Sequence, residues 1–195
     1  MARQLSPERR AQFLSAALKL FVENGVQQTS TAAIAKEAGS AAGTLFIYFP
    51  TKQDLINELV LQVARGQAEN SQAALRPDLS ARESFFTIWH STIRWFLADM
   101  DSFLFIQQVR DSGVIPDEVV QETETYFVYY YEAIQKGLEE GSIKPYPIEL
   151  IGNFLYQAMV AVLNLIRNQP NLAKHEGYIE SGFGIFWDGI KSEAG

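Results

Sequence analysis

Residues 28–52 read Gln28-Thr-Ser-Thr-Ala-Ala-Ile-Ala-Lys-Glu-Ala-Gly-Ser-Ala-Ala-Gly-Thr-Leu-Phe-Ile-Tyr-Phe-Pro-Thr-Lys52. Hydroxyls at Thr29, Ser30 and Thr31 can cap a helix whose Ile34, Ala35 and Ala38 share one face, and Gly39 can take the positive φ that ends it. A second short helix over 41–48 then buries Leu45 and, just after it, Phe49, and leaves Ala42, Gly43, Thr44, Ile47 and Tyr48 largely outward. Pro50-Thr51 breaks the chain before a third helix opens, with Thr51 as N-cap and Asp54 three residues on. Two short helices hinged at a glycine form a helix-turn-helix, and the second is of a size to enter a major groove.

The pattern Thr29-Ser30-Thr31-x-x-Ile34-Ala35-x-x-Ala38-Gly39, followed by Gly43-Thr44-Leu45-Phe46-x-Tyr48-Phe49-Pro50-x-Lys52, resembles the DNA-binding signature of the TetR family of bacterial repressors. The motif spans roughly residues 10–60; beyond it the chain is similar to that family only in length and helix rhythm. The resemblance implies base-facing positions at Ala42, Gly43, Thr44, Phe46 and Ile47, and phosphate contacts from Thr31, Tyr48 and Lys52. Small and apolar residues dominate the reading face, and it holds no Arg, Asn or Gln to grip a base edge in two places. Similar proteins often carry Arg where Ala32 stands and Ser-Lys where Ala41-Ala42 stand, so affinity here leans on Lys52, Tyr48, helix N-termini and Arg3, Arg9 and Arg10.

The whole chain has a net charge of −7, at odds with the usual basic signature of a DNA binder. Its distribution is polarised: residues 1–52 set Arg3, Arg9, Arg10, Lys19, Lys36 and Lys52 against Glu8, Glu23 and Glu37, a local +3 that leaves −10 on residues 53–195. Such a molecule presents one end to a polyanion and repels it elsewhere. With 195 residues and 47% hydrophobic content a packed core is expected. No cysteine is present, which excludes disulfides and thiolate metal sites and fits a cytoplasmic location; the charged start Met1–Arg10 lacks the apolar run of an export signal.

In order, a helix opens at Ser6-Pro7 with Leu14, Ala17, Leu18 and Phe21 inward and stops at Asn24-Gly25. After the helix-turn-helix, a long helix runs from Thr51 to about 75, and Ser80-x-x-Glu83 opens an aromatic-rich one. A short helix over 101–110 follows, then a single helix from Pro116 to Gly141 that keeps Val119, Thr123, Tyr126, Phe127, Tyr130, Ile134 and Leu138 on one face. Residues 147–168 are apolar nearly all round, but Glu149, Asn153, Gln157 and Asn164 interrupt them, so a helix buried on two faces is expected there and no membrane partner. The last helix spans 171–190. The expected architecture is therefore all-α with about nine helices: a three-helix DNA-binding head (1–52) joined by the long fourth helix to a ligand-binding and dimerisation body (53–195).

The last two helices offer more apolar surface than one small body covers, which points to a homodimer through Phe154, Ala158, Ala161, Leu165, Phe183, Phe186 and Trp187. Trp89, Phe103, Phe127 and Tyr130 are candidate pocket residues, with His90 one turn before Arg94 as a pair that could hold an anion or simply face water. Enzyme chemistry finds no support. His90 and His175 are the only histidines and form no metal motif, Gly182-Phe-Gly184 lacks a third glycine and a preceding strand, and Ser181 sits in no nucleophile elbow; no metal or cofactor is expected. The expected function is a ligand-responsive transcriptional regulator that binds a palindromic double-stranded operator as a dimer and is released by a small-molecule inducer. A helical small-molecule binder or enzyme retaining the helix-turn-helix as scaffold stands as the alternative.

Overall fold

The computed structural model describes residues 5–193, and every regular element among them is helical. Ten α-helices run in order: α1 (Pro7–Asn24), α2 (Thr31–Glu37), α3 (Ala42–Tyr48), α4 (Lys52–Ala74), α5 (Ala81–Ala98), α6 (Met100–Ser112), α7 (Asp117–Tyr126), α8 (Val128–Glu139), α9 (Ile148–Arg167) and α10 (His175–Ile190), the last preceded by a 3₁₀ turn over Leu172–Lys174. Local chemistry sets most of the ends. Ser6 Oγ accepts the Arg9 N–H at 3.2 Å and Ser30 Oγ accepts that of Ala33 at 3.1 Å. Thr51 and Asp54 cap each other reciprocally, as do Ser80 and Glu83. Gly39 adopts φ 63° between α2 and α3, a conformation that would strain a residue with a Cβ.

Two compact units divide the chain: Met1–Arg65 with Asp99–Thr123, and Gly66–Ala98 with Glu124–Gly195. The first has Phe13, Leu14, Ala17, Phe21, Ile34, Ala35, Leu45, Phe49, Leu55 and Leu59 as its core. Helix α6 belongs to this unit, where Phe105 stacks on Phe21 of α1 with ring centroids 5.9 Å apart. Removing each such ring from water contributes about 1.5–3 kcal/mol, so a helix distant in sequence helps hold the three-helix head rigid.

The second unit is built around α5, whose Phe85, Ile88, Trp89 and Ile93 are fully buried and which packs on α8, α9 and α10. Trp89 donates its indole N–H to the Ile179 carbonyl at 2.9 Å. A Cβ at Gly182 of α10 would come within 2.5 Å of Val162 Cγ2 and 2.9 Å of the Trp89 ring, so α10 seats here only with a glycine.

Two expectations are corrected. The single helix over 116–141 is broken at Phe127 (φ −103°, ψ 20°), whose N–H reaches back to Glu124 O, three residues rather than four. This tight turn rephases the chain, so Tyr129, Ala133, Ile134 and Gly137 face inward on α8 and Leu138 does not reach the same depth. No proline or glycine marks the break; ring packing of Phe127 on Tyr129 and Tyr130 accompanies it. Helix α9 is long and apolar enough to cross a membrane by length and composition, yet it is buried along one face within the chain, not two. Ile151, Leu155, Met159, Leu163 and Ile166 point in, while Leu150, Phe154 and Leu165 are exposed beside Asn153 and Gln157.

Candidate nucleic-acid interface

Leu45 is completely buried and Phe49 nearly so, and these two residues fix how α3 is turned. The opposite face then consists of positions one turn apart in two rows, Ala42 with Phe46 and Gly43 with Ile47. Phe46 is 43% and Ile47 63% exposed, a large apolar pair held out into solvent at the tip of the head. Thr44 and Tyr48 are half-buried at its margin. Tyr48 packs on Phe13 (5.5 Å) and its hydroxyl oxygen accepts the Ser6 N–H at 3.1 Å, which leaves the phenolic proton to be donated outward.

A shallow groove beside α3 is lined by residues 27–31, Phe46, Pro50, Thr51 and Lys52. Lys52 Nζ donates to the Gln27 carbonyl at 3.3 Å, and partial burial lowers its pKa from the ordinary lysine value. Two of the expected phosphate ligands, Lys52 and Thr31, line this groove, whereas Tyr48 is not part of its lining and is held against Phe13 and Ser6. Gln27 and Gln28, not singled out from the sequence, line the same groove and offer amide donors. Arg9 and Arg10 are otherwise engaged. Arg9 donates to Ala38 O at 3.2 Å, while Arg10 pairs with Glu58 at 2.7 Å and lies over the Phe49 ring, so both brace the head internally. Arg3 lies outside the described residues.

Residues 13–59 match the family model described as bacterial regulatory proteins, tetR family. A TetR-family protein of solved structure from Vibrio parahaemolyticus is 30% identical, with 95% of this chain and 100% of that one covered and a TM-score of 0.76. The chain belongs to the TetR family. Another TetR-family structure, from Shewanella sp. PV-4, superposes with a TM-score of 0.87 at 28% identity over 95% of this chain and 99% of that one. The uncharacterized HTH-type transcriptional regulator YhgD of Bacillus subtilis (strain 168) is 24% identical over 161 residues, 82% of this chain and 84% of that protein. This TetR-family member is thus a transcriptional regulator with a DNA-binding helix-turn-helix, and not an enzyme.

In the body of this TetR-family chain, polar side chains from α4, α5 and α8 meet in a buried cluster. Gln67 Nε2 donates to Ser71 Oγ (2.9 Å) and Thr92 Oγ1 (2.8 Å), with Tyr129 OH 3.4 Å away, and Thr92 in turn lies 3.4 Å from Tyr130 OH. Burial pushes the Tyr129 phenol up to about 12 and raises that of Tyr130 as well, so both stay neutral over the physiological range. Tyr130 and the adjoining Phe127 were expected at a pocket; Gln67, Ser71 and Thr92 were not. A glutamine and a serine one turn apart on the apolar stripe Val63, Ala64 and Ala68 were the available signal.

The other candidate pocket residues disperse. Trp89 is sealed in protein against Phe183 and Phe186, with its N–H satisfied, and Phe103 sits on α6 in the first compact unit. Arg94 does hold an anion, but it is the chain's own Glu176 on α10; His90 Nε2 accepts from Arg94 Nε at 3.4 Å and lies 3.6 Å from the same carboxylate.

The expected dimer residues separate by face. Phe183, Phe186 and Trp187 point into the protomer against Phe85, Phe86 and Trp89, because 179, 183, 186, 187 and 190 form one helical stripe and α5 takes it. They are core. Phe154 (62% exposed), Leu165 and Ala161 face outward with Ala158 half-buried between them, and Ile185 (77% exposed) stands out on α10 with exposed Gly177 and Ser181.

Proposed function

We propose that this chain is a homodimeric, ligand-responsive repressor. The observation that carries the coupling is α4: one uninterrupted helix begins at Lys52 in the groove beside α3 and carries Gln67 and Ser71 into the buried polar cluster about four and five turns later. A molecule that replaces any of the hydrogen bonds of Gln67 biases the helix on which Lys52 is mounted. The named members of the cluster are all uncharged, which suits a neutral ligand bearing hydroxyl or carbonyl groups. By linkage, whatever free energy such a ligand withdraws from DNA binding, DNA withdraws from the ligand.

The outward face of α9 and α10 supports pairing with a second copy. Exposed Leu150, Phe154, Leu165 and Ile185 give apolar anchors, and Ala161, Gly177 and Ser181 let helices approach closely. A two-fold dimer presents two α3 helices to successive major grooves and reads a palindrome. In function, residues 1–52 act as the DNA-binding part and 53–195 as the ligand-binding and dimerisation part, even though α6 packs with the head. A protein that works on the bacterial chromosome acts in the cytoplasm.

Footprinting of the purified protein on fragments of its own genome tests this. Two protected half-sites about one helical turn apart are expected, and transcription from the neighbouring promoter should rise when the gene is deleted. A neutral small-molecule library screened by thermal shift should then yield compounds that weaken operator binding. A stabilising compound that leaves operator affinity untouched defeats the induction half of the proposal.

A further inference from the structure

We propose that α3 reads its operator chiefly through the 5-methyl groups of thymines, with Ile47 as the principal specificity residue and Ala42 and Phe46 beside it. This rests on the DNA-binding role of the head and goes beyond it to the chemistry of the half-site. Base edges in the major groove offer hydrogen-bonding atoms at every pair but only one apolar group, the thymine methyl. Guanine is gripped by Arg or Lys and adenine by Asn or Gln, and α3, Ala-Gly-Thr-Leu-Phe-Ile-Tyr, contains none of the four. What it holds outward instead is apolar: Ile47 at 63% exposure, Phe46 at 43%, and exposed Ala42. Gly43 lies in the same patch with no atom within 4 Å of where a Cβ would stand, so base edges can approach the helix backbone there. The isoleucine and the phenylalanine present apolar surface to solvent, and thymine methyls are the apolar surface a duplex can bring to them. Thr44, half-buried at the margin, supplies one hydroxyl and one further methyl.

The test uses the full-length protein. Bound duplexes are selected from a randomised pool, and every thymine of the selected site is then replaced by deoxyuridine, which keeps all hydrogen-bonding edges and deletes only the methyl. Each contacted methyl should contribute about fourfold in affinity, so one per half-site gives about fifteenfold for the dimer. Ile47→Ala, at a position exposed enough to leave the helical circular dichroism unchanged, should bind the thymine operator more weakly and lose most of its sensitivity to deoxyuridine. Selected sites that bind equally well with uracil overturn the proposal while leaving DNA binding intact. An Ile47→Ala protein as sensitive to uracil as the parent overturns the assignment to Ile47. Failure to select any duplex would instead strike at the DNA-binding reading itself.

Discussion

Replacing Lys52 by alanine isolates the electrostatic part of DNA binding. Its ammonium projects from the first residue of α4 into the groove lined by Thr31 and Phe46, and it donates to the Gln27 carbonyl at 3.3 Å. The variant should therefore fold normally, with any loss of stability small. A lysine that neutralises one phosphate contributes about 0.9 to the slope of log K against log salt on B-DNA, and a dimer carries two copies, so the slope should flatten by about 1.8. From 50 to 200 mM salt, a fourfold change, the parent should then lose about tenfold more affinity than the variant. Partial burial lowers the pKa of this ammonium from the ordinary lysine value. Fluorescence anisotropy at four or more salt concentrations measures the slopes on operator and on scrambled duplex. Both duplexes should respond alike, because phosphates carry no sequence. A slope that changes by less than half a unit, or a loss confined to the operator, would refute the phosphate assignment.

Phe154→Glu should convert the dimer to a monomer by light scattering at micromolar concentration, with helical circular dichroism retained, since this side chain is 62% exposed in the single chain. Gly182→Ala should destabilise the fold by about 1–3 kcal/mol, because its Cβ meets Val162 and the Trp89 ring; Gly189→Ala, with nothing within 4 Å, should be neutral or slightly stabilising in a chemical denaturation series. Tyr129 and Tyr130 ionise later in the folded chain than in the unfolded one, so their contribution to stability is full below pH 10 and is lost as pH rises through the folded pKa, about 12 for Tyr129. Absorbance at 295 nm should show a component that ionises late or with unfolding, and Tyr129→Phe with Tyr130→Phe should reduce it.

The parts of this chain legible in its sequence are those decided within a few residues. Ser6-Pro7, Ser30, Thr51 with Asp54 and Ser80 with Glu83 act through hydrogen bonds that span three positions, and each marks a helix start in the structure. The orientation of α3 was legible because Leu45 and Phe49 are spaced one turn apart. What depended on distant partners was not. Phe127 breaks a helix whose local sequence has no breaker, and Arg9 and Arg10 look like a basic DNA-contacting pair until Ala38 and Glu58 are found beside them. Hydrophobicity showed that α10 needs cover but not from which side: Phe183, Phe186 and Trp187 meet α5 of their own chain, and Ile185 on the other face is left for a partner.

Two apolar surfaces remain exposed among the described residues, and we propose different partners for them. A stable protein interface buries about 800 Å² on each side, so the proposed partner of the longer face, with Leu150, Phe154, Leu165 and Ile185 exposed on α9 and α10, is a second copy. The tip of α3, a seven-residue helix showing four small or apolar positions, cannot supply such an area. Its partner must draw most of its affinity from elsewhere, and Lys52, Thr31, Gln27 and Gln28 next to it are suited to phosphates. Small apolar area ringed by polyanion contacts describes a base-reading surface, where little binding energy but much discrimination comes from the centre. Removal of the Ile47 side chain should thus change which sequences are bound without changing the mass of the particle, and removal of the Phe154 ring should do the reverse at the level of one protomer's DNA contacts. If both substitutions altered mass, the tip of α3 would be a protein-binding surface and the division between the two faces would be wrong.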